Sequence, residues 1–177
     1  MELLSVYDNN GNKTKRIVER ENKDNKFSQD EHIGLSIIFI ENNNNEFLIQ
    51  KTSLEKGGLY SSTGGHILYN ENPIDTIIRE TKEELGINIS NDKIIDLGYL
   101  IFDFPIRFFF YLKKDINLDE IIIQKEEVES VSYMSIEEIN NIINNNLMNQ
   151  GHAKIFKKIL EYKKMNWQKK NLSFFVI

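Results

Sequence analysis

Residues 65–87 read GHILYNENPIDTIIRETKEELGI, and the reading of this stretch decides the fold. Both ends of a helix are written in it. Asn72 suits the N-cap, Pro73 the first helical position and Asp75 the first turn, where a carboxylate meets the positive end of the helix dipole. Gly86 suits the position just past the last turn, where the backbone becomes left-handed. Between these marks Ile74, Ile77, Ile78, Thr81 and Leu85 recur at helical spacing and form one core-facing stripe. Steps of about 100° per residue place Glu80, Glu83 and Glu84 together on a flank away from that stripe. Like charges three and four residues apart repel, by roughly a few tenths of a kcal/mol per pair in an isolated helix. A divalent cation removes that cost, and an all-oxygen ligand set suits Mg²⁺ or Mn²⁺. The bland alternative is an acidic face turned to solvent, the default for charge on a helix.

Working outward, Leu3 to Tyr7 and Arg16 to Val18 flank the turn Asp8-Asn9-Asn10-Gly11 and read as a hairpin. Residues 21–30 are polar and read as loop. Ile33 to Ile40 is β-branched and reads as a buried strand, Asn42 to Asn45 as the turn after it, and Glu46 to Lys51 as the next strand. Glu55 to Thr63, with its paired glycines and serines, reads as loop. Downstream, Ile94 to Ile101 and Ile106 to Leu112 read as paired strands, and Ser130 to Met134 as another. Ser135 with Glu138 has the spacing of a capping box, so a helix opens there. Ala153 to Met165 is a further helix, with apolar Ile155, Phe156, Ile159, Leu160 and Tyr162. The fold class is α+β, a mixed sheet with helices against it. The expected division is an N-terminal hairpin extension over residues 1–30 and one main domain over residues 31–177.

Composition narrows the chemistry. The 177 residues carry 22 basic and 27 acidic side chains, a net charge of −5, and no cysteine. Disulfides, zinc fingers, iron–sulfur ligation and cysteine nucleophiles are excluded. An acidic balance argues against non-specific nucleic-acid binding, which needs a basic surface. The first residues have neither a basic start nor an apolar run, and the longest apolar stretch, Leu97 to Leu112, is broken by Asp103, Pro105 and Arg107. A signal peptide and a membrane span are therefore not expected, and a cytoplasmic location is. The abundant asparagine reads as compositional drift.

The glutamate spacing is more specific than charge alone. It resembles the Nudix box, G-x5-E-x7-R-E-U-x-E-E-x-G-U with U apolar, through Gly65, Glu71, Arg79, Glu80, Glu83, Glu84, Gly86 and Ile87. Seven fixed letters at roughly 6% usage each coincide by chance in about one chain of this length in a million. Thr81 alone departs, standing where the box has an apolar residue; being close to valine in shape, it should cost a little stability and no metal ligand. Weaker similarity extends over residues 1–140, including His32 to Phe39 and Glu126 to Ile139. The lead-in around Tyr7-Asp8 and Asn10-Gly11 is similar to the branch holding isopentenyl-diphosphate isomerase and its hydrolase relatives.

This resemblance implies an α/β/α sandwich and hydrolysis of a nucleoside diphosphate linked to another group, by water attack on phosphorus. It implies Mg²⁺, with Mn²⁺ as the alternative, on Glu80, Glu83, Glu84 and the backbone carbonyl of Gly64. Glu71 and Arg79 would pair and brace the loop against the helix. The base would be Glu80 or Glu127. In the isomerase relatives, histidines equivalent to His32 and His66 bind metal beside a cysteine, but Gly64 stands at that cysteine's place, and Ile106 to Phe109 offer no acid where the isomerase has a pair. Isomerisation and a nucleotide sensor without turnover are the alternatives; the missing cysteine disfavours the first and the intact acids the second. Similar proteins are often homodimers.

Other residues read more plainly. His32 and His66 suit hydrogen-bonded structural roles. Phe108 to Tyr111 suit alternate burial in a sheet better than base stacking. Glu126 and Glu129 suit a solvated loop. Lys157, Lys158, Lys163, Lys164, Lys169 and Lys170 suit a solvated helix face, and the apolar tail Leu172 to Ile177 suits packing on the core or on a partner subunit.

Overall fold

The computed structural model describes residues 2–173, without the side chains of Asp92 and residues 169–173. The expectations for Lys169, Lys170 and the tail Leu172 to Ile177 lie outside the described residues. The chain opens with the expected hairpin, β1 (Leu3–Tyr7) antiparallel to β2 (Lys13–Glu19). Its turn is built by Asp8, whose Oδ1 accepts the backbone N–H groups of Asn10 at 2.8 Å and Asn12 at 2.9 Å, while Gly11 takes φ 75°. The hairpin continues the main sheet, since Val6 and Tyr7 of β1 pair with Ile33 and His32 at the start of β3 (His32–Glu41).

β3 is the spine. It turns at Asn42 to Asn45, with Asn45 in the left-handed region at φ 62°, into β4 (Phe47–Thr52). There follow β5 (Tyr60–Ser61), β6 (Thr63–His66) and α1 (Pro73–Leu85). Beyond α1 come β7 (Ile95–Ile101), β8 (Ile106–Lys113), β9 (Val128–Met134), α2 (Ile136–Asn144) and α3 (Gln150–Ser173). One edge of β3 pairs antiparallel with β6 and the other parallel with β8, whose far edge carries antiparallel β7. β4 leaves β3 after one pair and joins β9 and β5 instead. The sheet is mixed, as expected.

Alternation along the central strands separates two apolar layers. Ile37 and Phe39 of β3, Phe109 and Tyr111 of β8 and Phe47 and Ile49 of β4 pack on Ile139 of α2 and on Ile155, Phe156 and Ile159 of α3. Ile38, Ile40, Phe110, Leu112 and Leu48 face the other way, onto Ile77 and Leu85 of α1. A strand covered on both faces reads as a continuous apolar run, which is why Ile37 to Ile40 shows no polar alternation. Each fully buried isoleucine or leucine stabilises the layer by about 2 kcal/mol. Phe108 to Tyr111 lie in the sheet as expected and alternate between its faces, Phe109 and Tyr111 in one layer and Phe108 and Phe110 in the other.

Two expectations change. The segment 55–63 is not all loop: it holds a 3₁₀ turn at Leu54–Lys56 and β5, and β6 starts at Thr63. β6 is glycine-rich because it passes close to its neighbours; a Cβ on Gly64 would lie 2.6 Å from the Ser36 carbonyl oxygen. Lys163 is also not on a solvated face. Its Nζ lies 2.5 Å from Glu41 Oε1, and Glu41 is fully buried and accepts the Tyr111 hydroxyl at 2.6 Å.

Candidate active site

The signals read for α1 are in place. The Asn72 backbone N–H donates to Asp75 at 3.2 Å, and Gly86 closes the helix at φ 70° with its N–H on the Lys82 carbonyl at 3.0 Å. Ile77, Thr81 and Leu85 are fully buried. Thr81 places its hydroxyl 2.7 Å from the Ile77 carbonyl one turn back, so its polar atom is satisfied inside the core.

This seating turns the acidic flank of α1 toward β6 and into a cleft of about 330 Å³, shared by Gly64, Gly65, Arg79, Glu80, Glu83 and Glu84. Arg79 is its organiser. Nε and Nη2 donate to the two oxygens of Glu71, at 2.7 and 3.1 Å, a two-pronged pair that ties the loop to the helix. Nη1 donates to Glu80 and to Glu83, each at 2.8 Å, and Nη2 also reaches the His66 carbonyl at 3.2 Å. Burial alone would raise the Glu71 carboxyl, but the bonds from Arg79 and from the Thr76 hydroxyl outweigh it and hold Glu71 below the usual carboxylate value.

The other carboxyls are less well compensated. Burial pushes Glu80 above its ordinary value against the pull of Arg79. Glu84, only 8% exposed, is pushed by burial up to about 8, with the charges of Glu80 and Glu127 adding to the rise. A hydrogen bond at 2.9 Å from Gln50 on β4 opposes that rise. Gly65 leaves the room these groups need, because a Cβ there would fall 1.9 Å from Glu80 Oε1.

Arg79 thus pairs with Glu71, Glu80 and Glu83 and neutralises one charge, while Glu84 lies in the same cleft as Glu80 and Glu83. The surplus fits a divalent cation with oxygen ligands. As the side chains stand, no three Asp, Glu or His among the described residues converge to hold an ion. Arg79 draws Glu80 and Glu83 to itself, so the three-glutamate set read from the helix is on one face but is not gathered on one point.

Glu127 reaches the same cleft from the segment before β9, and its Oε1 lies 2.7 Å from Lys56 Nζ. Glu129 pairs outside it with Lys51, at 2.9 Å. His66 lines the cleft, and burial pushes its imidazole down to about 4. His32 points elsewhere: Nδ1 is 2.6 Å from the Phe104 carbonyl and Nε2 2.7 Å from the Asn9 amide oxygen, a structural role as read. The paired metal histidines of the isomerase reading are therefore not formed.

Several lining residues escaped the sequence. Gln50 left a trace, as an amide at an inward position of an apolar strand, two residues after Leu48. Lys56, the hairpin pair Glu2 and Arg20, and His152 at the start of α3 left none, since only folding brings them to the cleft. Among the described residues no helix is long and apolar enough to cross a membrane.

The NUDIX domain family model matches residues 30–159. The 8-oxo-dGTP diphosphatase of Proteus vulgaris is 32% identical over 77 residues, covering 43% of this chain and 66% of that protein. The chain spans 38% to 66% of the length of three curated relatives it matches. DR0079 from Deinococcus radiodurans superposes with a TM-score of 0.74 at 15% identity, over 89% of this chain and 98% of that one. A bifunctional NMN adenylyltransferase/ADP ribose pyrophosphatase from Francisella tularensis, complexed with AMP and a Mn ion, superposes with a TM-score of 0.58 at 21% identity, over 74% of this chain and 42% of that one. The structural likenesses concern the fold; the family match covers most of the sheet, all of α1 and the carboxylate cleft, and the chain belongs to the NUDIX domain family.

Proposed function

We propose that this protein is a Mg²⁺- or Mn²⁺-dependent pyrophosphohydrolase that cleaves a nucleoside diphosphate-linked small molecule, releasing a nucleoside monophosphate or phosphate product. The observation that carries the reading is the cleft in which Glu80 and Glu83 pair with Arg79 and share the wall with Glu84, where Glu84 is buried, Glu80 is half-buried and both carboxyls are raised. The nucleotide named for the Proteus vulgaris relative, and the AMP and Mn ion of the Francisella tularensis structure, support the substrate class and the metal.

Glu80, Glu83 and Glu84 would hold the cation, with Gly64 as the backbone ligand. Bound there, it would neutralise the diphosphate and ease ionisation of the attacking water. Glu71 keeps Arg79 fixed, so that the Glu80 carboxylate stays beside the Gly64–Gly65 strand. Glu80 and Glu127 are the groups that can take the proton from the water. Lys56 and Arg20, each now paired with a glutamate at the cleft, supply positive charge for the substrate phosphates.

The test is product release from a panel of nucleoside di- and triphosphates, dinucleotides and nucleotide sugars, with Mg²⁺ or Mn²⁺. Glu84→Gln should lower the rate on the best substrate at least about 100-fold. A panel with no turnover above that variant refutes the reading.

A further inference from the structure

One lining residue has no part in that scheme. His152 stands in the first turn of α3 and borders the cleft with Gly64, Glu84 and Glu127. Its Nδ1 is held from below: the Ser62 backbone N–H donates to it at 3.1 Å, and the Ser62 hydroxyl lies at 3.0 Å. A backbone amide can only donate, so Nδ1 must keep its lone pair. The single proton of the neutral ring then sits on Nε2.

That Nε2–H is unused. Among the described residues it has no protein acceptor, and the sole enclosed side-chain polar atom without a partner is Tyr7 Oη. Nε2 therefore opens onto the cleft. It is a donor of fixed direction, on the positive end of a 24-residue helix, facing a cavity lined by the carboxylates of Glu80, Glu84 and Glu127 together with the cationic Arg79, Lys56 and Arg20. Carboxylate oxygens of the wall are not within its reach, so the acceptor it awaits is brought by a ligand. A general base at this position would need the lone pair on Nε2, and the Ser62 N–H denies it.

We propose that His152 is a substrate ligand, donating its Nε2–H to a phosphate oxygen of the bound diphosphate. The proposal rests on the pyrophosphohydrolase reading and adds to it a residue outside the box, 90 positions from the serine that aligns it.

Two substitutions separate the donor from a merely structural histidine. In His152→Asn the amide oxygen takes the place of Nδ1 and keeps the Ser62 bond, but nothing donates into the cleft. In His152→Gln the amide nitrogen reaches the Nε2 position and the Ser62 bond is lost. The expected result is a kcat/KM about 100-fold lower in His152→Asn, at a melting temperature near that of the parent, and within about 10-fold of the parent in His152→Gln. The reverse ranking, or equal rates in the two variants, overturns the proposal.

A second measurement needs no turnover. Long-range ¹H–¹⁵N spectra of the full chain should show the Nε2–H tautomer at neutral pH. Saturation with methylenediphosphonate and Mg²⁺ should shift the His152 Nε2 resonance, and His152→Asn should bind that probe about 10-fold more weakly. An unprotonated Nε2, an unmoved resonance at saturation, or no saturable binding overturns the proposal. A chain that binds the probe through Nε2 but turns over nothing in the panel refutes the hydrolase reading alone.

Discussion

Gly65 shows how much of the site depends on a missing side chain. A Cβ there would meet the end of Glu80, at 1.9 Å from Oε1 and 2.2 Å from Cδ. The obstacle is a flexible carboxyl and not backbone, so the strand can stay while Glu80 leaves Arg79. Gly65→Ala should therefore keep its melting temperature within about 3 °C of the parent while hydrolysis falls about 10- to 100-fold, the usual cost of disturbing a metal ligand's support. Gly64→Ala should behave oppositely. Its Cβ meets the Ser36 carbonyl in the β3–β6 ladder, so stability falls by about 1–3 kcal/mol. Calorimetric scans and rates measured side by side check both, and a fully active Gly65→Ala protein removes the placement of Glu80 from the mechanism.

At the scale of elements, α3 is joined to β3 by charge as well as by apolar packing. Glu41 is fully buried, and Lys163 with the Tyr111 hydroxyl satisfies it. Breaking a buried pair from one side leaves a charge in the core, which costs more than the intact pair ever contributed. Lys163→Met should lower stability by about 3 kcal/mol, seen as a fall in the urea midpoint at unchanged m value. Adding Glu41→Gln should restore part of it, because the stranded charge is gone. If the double variant is the sum of the two single losses, the pair is not coupled.

For the whole molecule, titration in the cleft and metal binding are linked. The Glu84 carboxyl rises from 4.5 unfolded to about 8 folded. Between those values the folded state carries the extra proton, so stability falls as pH rises. His66 and His152 go the other way, each pushed by burial from 6.5 down to about 4. There the unfolded state carries the extra protons, so stability falls as pH drops below 6.5. Without divalent metal the melting temperature should thus peak near about pH 6.5 and decline towards pH 8. Excess Mg²⁺ or Mn²⁺ should abolish that decline and do little at pH 5, since only the ionised carboxylates bind it. Thermal scans from pH 5 to 9 with chelator and with metal check this, and an unchanged melting point at pH 8 on adding metal sinks it.

What was legible in the sequence was what short-range chemistry controls. Asn72, Pro73 and Gly86 mark the ends of α1 by local backbone preference, and the isoleucine stripe marks its buried face by the helical period. Once that face is buried, Glu80, Glu83 and Glu84 have one flank left to occupy, so the acids of the site followed from spacing. The strand β6 was not legible, because Thr63 to His66 has a loop composition and becomes a strand only through its pairing with Leu35 to Ile38. The buried role of Lys163 was hidden too, since its partner Glu41 is 122 residues away. Only the tertiary structure brought Lys56 to Glu127 and Ser62 to His152. Such contacts depend on how separate elements cross, and no local period or propensity encodes that.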